Sequence, residues 1–221
     1  MIIKLRNGKK VHVSDSNKKL QPTKETNFLI FNLPAIITCP YATDMCKIAC
    51  YAIKAERAYP DCLPSRYDNL NASKSNEFVE AMTDLIIKRV NGMRKKNLVV
   101  RIHESGDFYN KVYADKWIQI ARNIESYNFK KGKKVTFIAY TKSFVYFDGV
   151  TLPSNFSLRA SIWADTKPEQ IAIILRNQWP IYTAVESFTA NDAFEQCRCS
   201  DCATCGKCWD NTVPDIRCEI H

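Results

Sequence analysis

Short apolar runs that alternate with amphipathic stretches constrain this chain more than any other feature. Residues 28–33, 98–102, 135–140, 156–160 and 181–185 are rich in branched and aromatic side chains and have the length of buried strands. Between them lie segments of helical period. Phe78, Met82, Leu85, Ile86 and Met93 recur at that spacing from about Ser75 and stop in the basic stretch 94–97. Asn110 is placed to cap a second helix with Tyr113, Trp117, Ile120, Ala121 and Ile124 on one face. Thr166 and Glu169 read as a capping box ahead of a third, with Ile171, Ile174 and Leu175 behind it. Strands alternating with helices through short connections build a parallel sheet with crossover helices. The expectation is an α/β fold, a partial (β/α) barrel-like parallel sheet whose last strand is 181–185, plus a Cys-rich C-terminal metal-binding segment. The expected divisions are a hairpin at Asn7-Gly8 and polar segment (1–26), the α/β core (27–190) and the Cys-rich tail (191–221).

With 221 residues and 46% apolar content, the chain can bury a real core, which excludes a disordered tail or a disulfide-stapled miniprotein. No run is long enough to cross a bilayer, and the N-terminal residues do not read as a secretory leader. The expectation is a cytoplasmic protein with no membrane partner. The net charge of +9 is spread over pairs such as Lys9-Lys10, Lys95-Lys96 and Lys130-Lys131, which suits a solvated basic surface or a nucleic-acid face equally.

Parallel sheets of this kind carry their chemistry in the loops that follow the C-terminal ends of the strands. Here those loops are polar at each strand: His103, Glu104, Ser105, Gly106 and Asp107; Thr141, Lys142 and Ser143; Ser161; Glu186 and Ser187. Singly, such residues cap helices or face water. Their repetition at every strand end points to a site.

Ten cysteines add the second signal, and eight of them fall in two sets. Cys39, Cys46 and Cys50 follow the first core strand, and Cys197, Cys199, Cys202, Cys205 and Cys208 crowd the tail. Cys62 and Cys218 stand apart as ordinary small residues. In a reducing compartment such sets bind metal rather than form disulfides. A helix over 45–58 would put Cys46 and Cys50 one turn apart on one face. Three cysteines suit a zinc site completed by another ligand, or an iron–sulfur cluster with one iron left open. The C-x2-C-x2-C run from Cys202 to Cys208, with Cys197 or Cys199 as fourth ligand, suits a 4Fe-4S cluster or a zinc knuckle.

A strand, a three-cysteine loop and further strand–helix units resemble the architecture of the radical S-adenosylmethionine enzymes, although the C-x6-C-x3-C spacing departs from the C-x3-C-x2-C usual there. A closer resemblance is to the phage gene product 88 family, carried by Cys50-Tyr51-Ala52, RIHESGDFY (101–109), AYTKS (139–143), LPSNFSLRAS (152–161) and CGKCW (205–209) with His221 beyond. That resemblance implies a phage or prophage origin, hence the host cytoplasm, and an iron–sulfur protein.

The radical-enzyme resemblance implies roles for particular residues. Cys39, Cys46 and Cys50 would hold a 4Fe-4S cluster to which S-adenosylmethionine binds. Ser105, Gly106 and Asp107 would meet the cofactor's amino group, with Gly106 allowing close approach. Lys142, Arg159 and Glu186 would meet its carboxylate, its ribose or the substrate. Tyr51 would stack on adenine or serve as a plain core residue, and His103 would hydrogen-bond within the site. Electrons would come from the second, auxiliary cluster or from an external flavodoxin or ferredoxin. The competing readings are a nucleic-acid or host-protein binder in which metals are structural, and an electron carrier without substrate.

Overall fold

The computed structural model describes residues 1–187, 194–198, 201–210, 212–213 and 215–219. Strands β1 (Ile2–Lys4) and β2 (Lys10–His12) form the expected antiparallel hairpin, turned at Gly8 with φ 82°. The remaining strands are β3 (Thr26–Phe31), β4 (Asn97–Ile102), β5 (Lys134–Thr141), β6 (Phe156–Ile162), β7 (Ile181–Val185), β8 (Glu195–Cys197) and β9 (Ile216–Glu219). They form one seven-stranded sheet in the order β3-β4-β5-β6-β7-β9-β8, every neighbouring pair parallel, curled into a half-barrel. Because all pairs are parallel, the C-terminal strand ends share one rim.

Alternation along the strands separates two faces. Leu29, Phe31, Leu98, Val100, Ile102, Phe137, Ala139, Phe156 and Leu158 pack under helices α4 (Phe78–Gly92) and α5 (Lys111–Glu125) in the main core. The five apolar positions read for each of these helices are buried. Asn110 caps α5 as expected, its side-chain oxygen accepting the Tyr113 amide at 2.8 Å. The opposite face is the inner side of the curl. It carries Phe28, Ile30, Val99, Ile138 and Tyr140, and is covered by Leu20 and by Cys202, Ala203, Cys208 and Trp209 of the tail.

Several local expectations give way. The expected helix over 45–58 is two, α1 (Asp44–Ile48) and α2 (Tyr51–Ala58), with Cys50 extended between them at φ −66° and ψ 102°. Tertiary bonds override helix propensity here: Tyr51 donates its hydroxyl to the Glu104 carbonyl, and Glu56 accepts the Ala35 amide, pinning α2 to the rim. Helix α3 (Cys62–Ser73) follows, unmarked by apolar period because it buries Arg66, Asn69 and Ser73. The capping box before α6 (Pro168–Asn177) does not form. Thr166 instead accepts the Trp163 amide at 2.8 Å, and Lys167 stands at the cap with Pro168 behind it. Ile174 is buried, whereas Leu175 is 66% exposed. Ser161 lies inside β6, and β7 is followed by two more strands from the tail.

Candidate functional site

The rim beyond β3 and β4 is tied by backbone and side-chain bonds. Leu33 donates its amide to the Ser105 carbonyl at 2.9 Å, and the Ser105 hydroxyl donates back to the Leu33 carbonyl at 2.8 Å. The Asn32 side-chain oxygen accepts the amides of Glu104 (2.7 Å) and Ser105 (3.2 Å). Gly106, at φ 82°, is packed so closely that a Cβ there would lie 2.6 Å from both Leu33 Cβ and Thr38 Oγ1. The room its missing side chain leaves is therefore taken by the loop that leads to Cys39.

That loop is held from below by a buried ion pair. Glu56 Oε1 accepts the Ala35 amide at 2.8 Å and Arg66 at 2.7 Å, and Arg66 also donates to the Ala52 carbonyl. Ile36 takes a left-handed conformation, φ 64°, and its carbonyl receives the Cys39 amide at 2.9 Å. A β-branched residue there carries strain of the kind that persists only when surroundings over-determine it. The result brings Cys46, Cys50 and Asp107 each within electrostatic reach of Cys39. Burial, and then the Asp107 carboxyl, push the Cys39 thiol up to about 12.

Asp107 is buried and accepts from Thr141 Oγ1 (2.6 Å), the Lys142 amide (2.9 Å) and the Phe108 amide (2.7 Å). Burial raises its pKa, and these bonds oppose the rise. Lys142 points its amine at Ser161 Oγ, 3.0 Å away, and over the Trp163 ring at 5.9 Å. His103, also left-handed at φ 64°, is buried against Phe108, with one ring nitrogen 2.8 Å from the Tyr113 hydroxyl. Burial, followed by the Arg101 charge, lowers its pKa to about 3, so the ring is neutral.

The tail presents the second set. Cys202 and Cys205 bound the short helix α7 (Cys202–Cys205), capped by Asp201, and Gly206 turns left-handed at φ 68° before Cys208. Cys202 lies within electrostatic reach of Cys205 and Cys208. Its amide donates to the Lys19 carbonyl at 2.9 Å, and Trp209 meets Phe28 edge-on at 5.9 Å. Arg159, expected at the cofactor, serves this loop instead. Fully buried on β6, it donates to the carbonyls of Cys208 (2.7 Å), Lys207 (3.0 Å), Asp210 (3.0 Å) and Val213 (3.1 Å).

The structure thus brings Asp107 and Cys39 together, with Lys142 bonded to Asp107. Ser105 and Gly106 are committed to rim packing, Tyr51 keeps its ring exposed with its hydroxyl on Glu104, and Glu186 is exposed past β7. Cys197 stands on β8 opposite Cys218 of β9, while Cys199 and His221 lie outside the described residues. Cys39, Cys46, Cys50, Cys62, Cys202, Cys205 and Cys208 are free, half-buried thiols. Among the described residues no three His, Cys, Asp or Glu side chains converge tightly enough to hold a single metal ion, and no helix is long and apolar enough to cross a membrane. Sequence reasoning passed over Asn32, the Glu56–Arg66 pair and Arg101. Asn32, a polar residue closing an apolar strand, was the visible clue.

Fold and site define a class: an α/β half-barrel with one three-thiol set on its C-terminal rim and another in a tail seated on its inner face. Residues 5–211 match the family model of gene product 88, and the chain belongs to that family. It is 30% identical over 129 residues to the Gene 88 protein of Mycobacterium phage D29, covering 55% of this chain and 50% of that protein. The chain therefore spans about half the length of this curated relative. No solved structure matches.

Proposed function

We propose that the chain is an iron–sulfur protein of the radical S-adenosylmethionine kind. In this reading Cys39, Cys46 and Cys50 hold one 4Fe-4S cluster, and Cys202, Cys205 and Cys208, with Cys197 or Cys199, hold an auxiliary one. The observation that carries the reading is the gathering of Cys46, Cys50 and the buried carboxyl of Asp107 about Cys39, on the rim of a parallel half-barrel. The donors fit: Cys39, Cys46, Cys50, Cys202, Cys205 and Cys208 are free, half-buried thiols, and soft sulfur is the ligand of iron–sulfur centres.

Cys39, Cys46 and Cys50 would hold a cluster that, when bound, would supply an open iron and the electron for S-adenosylmethionine cleavage. The chain's own residues position and shield. Asp107, its oxygens fixed by Thr141, Lys142 and Phe108, locks the ends of β4 and β5 together and lends negative charge toward a cofactor amino group. Lys142, oriented by Ser161, supplies a cation for a carboxylate. The tail, clamped by Arg159, closes the inner face against water. Cys39, whose thiol holds its proton without metal, would give it up on binding one. A flavodoxin or ferredoxin of the host would be the electron donor.

Anaerobic iron and sulfide analysis tests this, with electron paramagnetic resonance of the dithionite-reduced protein before and after S-adenosylmethionine. About eight irons per chain and a spectrum changed by the cofactor support the reading. About four irons with no cofactor effect leave one electron-transfer cluster and sink the radical chemistry. Colourless protein with bound zinc sinks both, and leaves the metal-stabilised binder of nucleic acid or host protein that the +9 charge favours.

A further inference from the structure

Arg101 lies on β4, one residue before the strand ends, and alternation turns its side chain to the inner face beside Val99. Its guanidinium carbon sits 3.9 Å from the centre of the Tyr140 ring. Its Nε is fully buried without a hydrogen-bond partner, and no carboxylate lies within ion-pair distance among the described residues. A cation stacked on an aromatic ring gains too little to offset the loss of water around a half-buried charge. No described carboxylate supplies the anion that this charge calls for.

The groups around Arg101 identify that anion. Cys202 is within its electrostatic reach, and the Tyr140 ring on which Arg101 stacks packs in one cluster with Cys202 and Cys208. Toward the rim, Arg101 also reaches Tyr51, the neighbour of Cys50. One cation thus stands between the two thiol sets, stacked on a ring that packs in the same cluster as Cys202 and Cys208. Thiolates gathered on a cluster carry the net negative charge that is missing.

We propose that Arg101 is the counter-ion of the tail's metal centre and raises its reduction potential by favouring the more negative, reduced state. This inference rests on the iron–sulfur reading above. The neutral Tyr140 ring, held between guanidinium and Cys208, fixes the direction from which the charge acts.

The test is a redox titration of the full chain, purified anaerobically and followed by electron paramagnetic resonance, for wild type, R101Q and R101K. Iron content is measured on each sample. The expected result is that R101Q keeps its iron and one of two midpoint potentials falls, namely that of the signal lost in C205S, while R101K stays near wild type. Unchanged potentials in R101Q at full iron content overturn the proposal. An equal fall in R101Q and R101K overturns it too, because packing rather than charge is then at work. Loss of iron from both variants has the same meaning. Wild-type protein without iron removes the metal reading itself, a failure separate from that of Arg101.

Discussion

Cys197 stands directly opposite Cys218 across the parallel β8–β9 pair. Neighbouring strands run about 4.8 Å apart, inside the Cα range over which a disulfide closes. Treatment of the metal-free protein with diamide should therefore join these two thiols in preference to Cys197 and any cysteine of the 202–208 run. Peptide mapping by mass spectrometry reads the pairing. A dominant Cys197 link to Cys202, Cys205 or Cys208 would mean the register is wrong.

The Arg159 clamp should decide whether the tail stays down. Its donors satisfy carbonyls at 207, 208, 210 and 213, and truncation to Met leaves them unpaired unless the tail lifts into water. Loss of such a charged cluster of bonds costs about 3 kcal/mol or more, on the order of a 100-fold rise in the open fraction. Limited proteolysis of R159M should show that rise as faster cleavage between 194 and 219. A tail as resistant as wild type would sink the clamp.

Two positions near the rim should respond with opposite sign. Gly106→Ala forces a Cβ against Leu33 and Thr38, and should cost about 2 kcal/mol or more. Ile36→Gly removes left-handed strain while losing some burial and adding chain freedom, so it should lie between neutral and about 1 kcal/mol stabilising. Urea denaturation of the two variants against wild type checks the pair. A destabilisation in I36G as large as in G106A refutes the assignment of strain to Ile36.

His103 should make the fold acid-sensitive. Its folded pKa, about 3, lies below the ordinary 6.5, so between these values the unfolded chain binds a proton that the native chain refuses. Stability is full above about 6.5 and is lost as pH falls toward 3. Asp107, its pKa raised by burial, works in the opposite sense above its ordinary 3.8. Denaturation series for wild type and H103Q isolate the histidine. The variant should show the shallower slope over this range, and parallel slopes would exclude His103 as the source.

What was legible in the chain followed from local repetition. β4, β5 and β7 announce themselves as apolar runs, and α5 by Asn110 and its face from Tyr113 to Ile124. The two thiol sets are visible by spacing alone. Less visible is whatever depends on distant partners. The break at Cys50 has no Gly or Pro to mark it, and α3 hides its period because Arg66 and Asn69 are buried for their hydrogen bonds to Glu56, His12 and Asn32. Arg159 reads as a charge near a site, but its carbonyl partners lie about fifty residues on. Arg101 is absorbed into an apolar run, and only the sheet shows which face it takes.

The sheet order carries a temporal consequence. β9 lies between β7 and β8, although β8 precedes it in the chain. During synthesis β3 to β7 can pair as each emerges, but among the described strands β8 has only β9 beside it, and so waits for residues 216–219 to leave the ribosome. The thiols of 202–208 lie between those two strands in sequence. The segment that carries them is closed into a loop when β8 and β9 pair, a step that follows the emergence of β3 to β7.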